Sequence, residues 1–320
     1  MGQRNFDVTT FGEIMLRLSV PSGQRLETAT ELNICPAGAE ANVVSLLARL
    51  ERKTCWVGSL PKSPLGQLAA NHLRSAGVDL TGITWHEGGR LGTFYVEFGE
   101  PPRGIQVTYD RARSNITLIK PNQINWDRLM DSRLLHLTGI TPALSDSCRK
   151  ITAEALRVAK LRKVPISFDI NYRQKLWSET RAREILLPMI EGVEILFCSQ
   201  IDAIRLFGCK GTMQQIARAM FELSHATNVV ITLGEQGAIL WDGKEAHHEP
   251  SRPTKILDRL GAGDALAAGV IQGWLDGNIN LGLRYGVTLA ALALSQFGDM
   301  VITTKSEMVS LSNISSVITR

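Results

Sequence analysis

Most of the information about the fold lies in one stretch of the chain, Leu257-Asp258-Arg259-Leu260-Gly261-Ala262-Gly263-Asp264-Ala265-Leu266. Two glycines around one alanine leave the backbone there with almost no side chains, so its N–H groups can come close to a ligand. Small residues follow the aspartate and predict a helix over residues 265–275. The start of a helix offers unpaired N–H donors and the positive end of the helix dipole, and both favour a phosphate or a developing oxyanion.

The aspartate in this stretch admits two interpretations. As a carboxylate at the start of a helix, Asp264 can take a proton from an attacking hydroxyl group. The same residue can also be no more than a helix cap after a flexible turn. The spacing is not that of a Walker loop, because no Gly-Lys-Ser/Thr follows, and the stretch does not open a first βαβ unit as a dinucleotide fingerprint does. On its own, the stretch leaves both interpretations open.

Short apolar segments alternate with amphipathic ones over the rest of the chain. The predicted strands cover residues 6–18, 55–58, 134–137, 165–169, 195–198 and 229–233. The predicted helices cover residues 43–50, 65–76, 145–161, 180–190 and 212–224. Buried strands that alternate with helices predict an α/β fold, with a mostly parallel sheet covered by helices on both faces.

One part of the chain departs from this alternation. Residues 93–98 and 104–109 have the pattern of two β segments and predict a hairpin inside the α/β arrangement. We expect a single domain over residues 1–320, in which segments of about 13–36 and 91–112 form a small β-sheet lid.

Composition and charge exclude several classes of protein. Of 320 residues, 35 are Lys or Arg and 31 are Asp or Glu, and the net charge of 35 − 31 = +4 is too small and too evenly spread for a nucleic-acid binder. Apolar runs such as residues 289–294 fall far short of the ~18 residues that cross a bilayer. Five widely separated cysteines without C-x-x-C spacing disfavour zinc and disulfides. The sequence predicts a cytoplasmic enzyme without nucleic-acid or membrane partners.

Several motifs in a fixed order resemble those of the ribokinase-like (pfkB) carbohydrate kinases. The last motif of that family is Asp-x-x-Gly-Ala-Gly-Asp before a helix, which corresponds to Asp258–Asp264 here. The likeness also runs through residues 12–19, 37–42, 109–112, 139–144 and 168–173. In combination these motifs are most similar to the 2-keto-3-deoxygluconate kinase branch of the family.

The resemblance implies a fold, a reaction and its cofactors. A Rossmann-like core would hold ATP at the carboxyl ends of the strands, and the lid would close over the sugar. The reaction would be ATP-dependent phosphorylation of 2-keto-3-deoxygluconate to the 6-phosphate. Asp264 would be the catalytic base, and Gly261, Ala262 and Gly263 would form the anion hole. Mg²⁺ would take part, the involvement of a monovalent cation stays open, and copies of the chain would pair through the lid.

The resemblance also implies binding residues, each of which has a plainer interpretation as a surface charge, a cap or a turn. Those matching substrate contacts are Gly38, Asn42, Phe94, Tyr109, Arg111, Arg173 and Asp299. Those matching ATP contacts are Asn171, Arg173, Ser199, Thr232, Gly234, Gly237, Gly261 and Gly263. Asp202 matches a metal-site carboxylate that acts through water. Among the positions that depart from the family pattern, Phe94 stands where a tyrosine is common in the branch and Ser199 replaces an asparagine.

Other functions stay open at this point. A fructokinase or another keto-sugar kinase uses the same chemistry, and lid residues set the specificity. A sugar-sensing protein could keep the fold with weak catalysis, although an intact Gly261–Asp264 motif argues against that. A nicotinamide-dependent dehydrogenase would need an N-terminal glycine fingerprint, which residues 6–42 lack.

Overall fold

In the computed structural model, which describes residues 4–99 and 102–313, thirteen strands form two separate sheets. The strands are β1 (Phe6–Phe11), β2 (Met15–Ser19), β3 (Asn33–Ala37), β4 (Thr54–Pro61), β5 (Ile83–His86), β6 (Thr93–Glu97), β7 (Gln106–Asp110), β8 (Ser132–Thr138), β9 (Ile166–Asp169), β10 (Ile195–Ser199), β11 (Asn228–Thr232), β12 (Ala238–Trp241) and β13 (Ala246–Glu249). Residues 100 and 101, in the predicted lid hairpin, lie outside the described part of the chain.

The main sheet has the strand order β13-β12-β11-β10-β9-β8-β1-β4-β5. The strands from β11 to β5 run parallel, and β12 and β13 add an antiparallel edge. The second sheet, called the lid sheet below, has the order β3-β2-β6-β7 and pairs antiparallel except between β2 and β6. The predicted α/β class with a small additional β-sheet is confirmed.

Helices cover both faces of the main sheet and bury a hydrophobic core on each side. They are α1 (Ala39–Arg49), α2 (Pro64–Ala76), α3 (Asn115–Leu118), α4 (Trp126–Leu129), α5 (Thr141–Leu144), α6 (Asp146–Leu161), α7 (Glu179–Met189), α8 (Gln200–Phe207), α9 (Met213–Ser224), α10 (Ala262–Leu275), α11 (Ile279–Leu294) and α12 (Lys305–Ser312). Residues of α6 to α9 pack on one face, and residues of α1, α2, α10 and α11 pack on the other. None of the helices within residues 4–99 and 102–313 has the length and hydropathy of a membrane span.

The prediction of one strand over residues 6–18 is wrong. The chain leaves the main sheet after β1, passes through Gly12 and Glu13, and enters the lid sheet as β2. The carboxylate of Glu40 fills the space beside Gly12, where an added Cβ would lie 2.3 Å from Glu40 Oε2. The continuous apolar pattern hides this break because both strands are buried.

Close packing against α11 fixes the direction of α10. A Cβ on Gly269 would lie 2.3 Å from the backbone nitrogen of Gly286, and one on Gly273 would lie 2.2 Å from the Cα of Gly282. These four glycines bring the two helix backbones into contact. Because α10 begins at the carboxyl edge of the sheet, this contact also determines where its first turn points.

Candidate active site

A cavity of about 440 Å³ lies between the main sheet and the lid sheet. Asp169, Ser199 and Thr232 line it from the carboxyl ends of three neighbouring parallel strands, β9, β10 and β11. Met15 and Phe94 line it from the lid sheet. Open α/β sheets bind their ligands outside the carboxyl ends of the strands, so this position is the expected one for a binding site.

The start of α10 forms one wall of this cavity. Gly261 precedes the helix with a φ of 82°, in the left-handed region that favours glycine. The helix begins at Ala262 rather than at Ala265 as predicted, so that Gly263 and Asp264 belong to its first turn. The N–H groups of a first turn have no partner within the helix. The backbone therefore presents donors and the positive end of the helix dipole to the cavity.

The carboxyl group of Asp264 shares the cavity with that of Asp169. The Nδ2 of Asn42 on α1 donates a hydrogen bond to Asp264 Oδ2 at 2.7 Å. Burial raises the pKa of Asp264 to about 7, and the bond from Asn42 works in the opposite direction. Burial likewise raises the pKa of Asp169 to about 7, while the charge of Arg173 works against it. Both groups thus exchange protons near neutral pH.

A buried arginine connects the lid sheet to the loop that precedes α10. Arg17 on β2 is 1% exposed, and its Nη2 lies 2.5 Å from Asp258 Oδ2 while its Nη1 lies 2.6 Å from Asp299 Oδ1. Asp258 also accepts hydrogen bonds from the N–H groups of Leu260 at 3.0 Å and Gly298 at 3.2 Å. The two carboxylates and Arg17 therefore hold the approach to Gly261 in place.

Two arginines and two aromatic rings line the lid side of the cavity. Phe94 is buried and lies 5.7 Å from Tyr109, measured between ring centroids. The guanidinium of Arg111 is 5.5 Å from the Tyr109 ring, and Arg173 reaches the same cavity from the loop after β9. Guanidinium groups bind carboxylates through paired charge-assisted hydrogen bonds, so this side suits an anionic ligand.

A second cavity of about 530 Å³ adjoins the first along the start of α10. Both cavities share Thr232, Arg259 and Gly263. The second is closed on one side by the turn that contains Gly234 and Gly237, whose φ values are 60° and 91°. Apolar side chains supply the opposite side, namely Leu266, Val287, Ala290, Ala291 and Leu294. Such a cavity suits a flat, weakly polar group next to a phosphate chain.

The ends of β9 and β10 add three of the predicted residues to the first cavity. Asn171 has a φ of 41°, and its backbone N–H donates to Asp169 Oδ1 at 3.1 Å. Ser199 caps α8, since its Oγ accepts the N–H of Asp202 at 3.0 Å. Burial raises the pKa of Asp202. No group of three or more His, Cys, Asp or Glu side chains within the described ranges could hold a metal by itself.

Every residue predicted for the site lines one of the two cavities. The first contains Gly38, Asn42, Phe94, Tyr109, Arg111, Asn171, Arg173, Ser199, Asp202, Thr232, Gly261, Gly263, Asp264 and Asp299. The second contains Thr232, Gly234, Gly237, Ala262 and Gly263. Sequence analysis missed Asp169 and Arg259, although both lie inside motifs that carried the resemblance. It also missed Glu13 and Arg17, which bind the cavity residues Arg111 and Asp299, respectively.

Two adjoining cavities, the start of α10 and the lid sheet form the arrangement that the resemblance to the ribokinase-like kinases implies. The sequence profile of the pfkB family carbohydrate kinases matches residues 5–305. The chain belongs to this family, and it is a carbohydrate kinase.

Two of the named relatives are sugar-acid kinases. A 2-dehydro-3-deoxygalactonokinase of Haloferax volcanii is 35% identical over 303 residues, which cover 94% of this chain and 95% of that protein. The crystal structure of a 2-dehydro-3-deoxygluconokinase from Thermotoga maritima has a TM-score of 0.91 and 31% identity, covering 98% of this chain and 99% of that one. An E. coli protein with the provisional name ribokinase II was solved with ATP and Mg²⁺. Its structure has a TM-score of 0.86 at 22% identity, covering 96% of this chain and 98% of that one.

The bond between Asn42 and Asp264 makes the titration of the aspartate testable. Because Asn42 stabilises the ionised carboxylate, Asn42→Leu removes that bond at similar volume and should move the pKa of Asp264 upward by about one pH unit. The ¹³C NMR titration of the labelled aspartate carboxyls measures this midpoint. Asn71→Leu on the exposed face of α2 is the control. An unchanged or lower midpoint in Asn42→Leu would show that the bond does not stabilise the charge.

Proposed function

We propose that the protein transfers a phosphoryl group from ATP to the C6 hydroxyl of 2-keto-3-deoxygluconate. The observation that carries this proposal is one cavity in which Asp264 and the start of α10 face Arg111 and Arg173. Asp264 and the start of α10 suit the transfer of a phosphoryl group to a hydroxyl. The two arginines suit a sugar that carries a carboxylate. The names of the relatives support the same class of substrate.

Asp264 is the proposed catalytic base. It would accept the proton of the attacking hydroxyl, and a pKa of about 7 suits that step because a general base works best when its pKa is close to the operating pH. The hydrogen bond from Asn42 goes to Oδ2 and orients the carboxyl group, and Oδ1 takes no part in it. The same asparagine, with Gly38 beside it, is in a position to contact sugar hydroxyls.

Gly261, Ala262 and Gly263 are the proposed anion hole. Their amides belong to the start of α10, where the helix leaves donors unpaired and the dipole is positive. Donors that are already oriented stabilise charge on a transferring phosphoryl group without reorganising during the reaction. The backbone of Asp299 packs against Gly261, where an added Cβ would lie 2.3 Å from the Asp299 carbonyl oxygen, so the turn has little freedom to move.

ATP fits across the two cavities. Its base would lie in the second cavity, against Val287 and Ala290, and its phosphates would extend past Thr232 and Gly263 into the first. The turn at Gly234 and Gly237 would enclose the nucleotide, with Asn171, Arg173 and Ser199 at its phosphate end.

Magnesium fits as an ion held mainly by the nucleotide. Mg²⁺ commonly keeps several waters and uses one or two carboxylates together with substrate phosphates. Asp202 in the cavity can serve as such a carboxylate through water, in agreement with the lack of a larger acidic cluster among the described residues. When bound, the ion neutralises phosphate charge.

Residues of the lid and of the core loops would together select the sugar acid. Arg111 and Arg173 would bind its carboxylate, Tyr109 and Phe94 would cover its carbon chain, and Asp299 would contact it beside the anion hole. Phe94 stands where the resemblance implies a tyrosine, and it offers the sugar acid no hydroxyl group. The relative from Haloferax volcanii is named for the galactonate epimer, which makes 2-keto-3-deoxygalactonate the second candidate substrate.

We also propose that two copies of the chain pair through the outer face of the lid sheet, as the resemblance implies. Leu18, Ile34 and Tyr95 form one cross-strand row on this sheet, and Ile34 is 54% exposed. A second copy would cover this apolar row. Location in the cytoplasm stays a prediction of the sequence.

Replacing the proposed base should abolish most of the turnover. Asp264→Asn is expected to lower kcat by ~10²–10⁴ in a coupled ADP-release assay, because the amide cannot accept the proton. In the wild type, kcat/KM should fall as the pH drops below about 7 and Asp264 takes up a proton, and the variant should lack this dependence. Asp276→Asn at the other end of α10 is the control. Turnover near wild type in pure Asp264→Asn would remove Asp264 from this role.

A panel of substrates tests the assignment of the sugar. We expect 2-keto-3-deoxygluconate to give the highest kcat/KM in the same assay, ahead of 2-keto-3-deoxygalactonate, fructose, ribose and gluconate. A higher value for fructose or ribose would overturn the sugar-acid assignment and leave the kinase intact. Parallel assays in potassium and tetramethylammonium salts test whether a monovalent cation takes part.

Light scattering tests the proposed pairing. The wild-type protein is expected to have the mass of an even number of chains, and Ile34→Lys should reduce it to one chain because a charge would be buried at the interface. Leu161→Lys, at another exposed apolar position, is the control. A wild-type protein with the mass of one chain would contradict the pairing.

A further inference from the structure

The chain passes between the main sheet and the lid sheet at four places in the described residues, and Glu13 touches all of them. Glu13 itself leads into β2, and its carbonyl oxygen packs against Gly38, which follows β3. Gly92 precedes β6 and leaves room for the carboxylate, since an added Cβ would lie 3.0 Å from Glu13 Oε1. Arg111 and Ser114 follow β7 and bind the carboxylate directly.

The bonds of this carboxylate are well shielded from water. Glu13 Oε1 accepts a hydrogen bond from Ser114 Oγ at 2.7 Å, and Oε2 accepts one from Arg111 Nη2. The side chains of Glu13 and Arg111 are 5% and 10% exposed. Salt screens such a buried pair only weakly. Glu13 therefore holds the Arg111 side chain in one orientation.

Arg111 retains hydrogen-bonding capacity toward the cavity. Its bond to Glu13 uses Nη2, and the side chain lines the cavity beside Tyr109. A guanidinium carries five N–H donors in a fixed geometry, so donors other than the one bound to Glu13 can bind a ligand carboxylate. Arg111 thus has one group committed to Glu13 and another available to a ligand.

We propose that Glu13 is a positioning residue that makes the sugar site selective for acids by holding Arg111 in its binding orientation. This inference rests on the proposed function, because it concerns the carboxylate of the sugar acid. Without Glu13 the guanidinium would have to be ordered when the ligand binds, and that ordering lowers affinity. The effect should appear in the binding of the acid and not in the transfer step, which takes place at Asp264.

A double-mutant cycle tests this role, with 2-keto-3-deoxygluconate as the sugar acid in the ADP-release assay. Glu13→Gln should raise the KM for the acid about tenfold, while kcat changes less than about threefold and the KM for ATP stays the same. The methyl ester of the same acid, used as an inhibitor, should bind wild type and variant equally. In an Arg111→Met background, Glu13→Gln should change the KM for the acid no further, because the arginine through which it acts is gone.

Glu97→Gln is the matched control, since Glu97 is a lid carboxylate that pairs with Arg25, at 3.0 Å from its Nε, away from this crossing. If Glu13→Gln does not fold, Ser114→Ala removes one bond to the same carboxylate and should raise the KM for the acid to a smaller extent. If Glu13→Gln raises the KM for the acid by the same factor with and without Arg111, the two residues act independently and the proposed role of Glu13 is wrong. The same follows if Glu13→Gln raises the KM for ATP as much as the KM for the acid. Either result would leave the proposed function of the enzyme intact. A wild-type enzyme that phosphorylates no sugar acid would overturn the proposed function and this role together.

Discussion

The buried contacts of Arg17 hold the lid sheet and the start of α10 in one arrangement. Arg17 belongs to β2, whereas Asp258 and Asp299 lie on two loops of the core that meet at Gly261. Removing one partner from a buried group of charges commonly costs about 3–5 kcal/mol, because the remaining charges lose their compensation. The lid sheet and the loops that lead to Gly261 are therefore parts of one electrostatic unit, although they are far apart in the sequence.

The state of Asp264 reflects a balance between opposing effects. Its place in the first turn of α10 and the bond from Asn42 favour the ionised carboxylate, while burial and the neighbouring Asp169 favour the protonated one. Burial prevails, and the pKa rises to about 7. The fold thus keeps the pKa of this carboxyl group near 7 at the place where the main sheet, α10 and the lid sheet meet.

Much of the fold could be predicted because local patterns carry it. The strands β4 and β8 to β11 and the helices α1, α2, α6, α7, α9 and α10 could be predicted from patterns within their own segments, whereas β5, β12, β13 and α11 were not predicted. The motif ending at Asp264 marks the start of α10. The division between β1 and β2 could not be predicted, since both segments are apolar and the turn depends on Glu40 beside Gly12. The contact of Arg17 with Asp299 spans 282 positions, and no local signal in a single sequence reports such a pairing. The same holds for Glu13 and Arg111.

The contact between α10 and α11 has a consequence for how the sequence tolerates change. Alanine is normally preferred over glycine inside a helix, yet at Gly269 and Gly273 even a methyl group would collide with backbone atoms of the facing helix. A substitution there would tilt α10 and displace Asp264, although neither glycine touches either cavity. Random mutagenesis should accordingly find inactivating substitutions on this distant helix face, and directed evolution of specificity should leave it untouched.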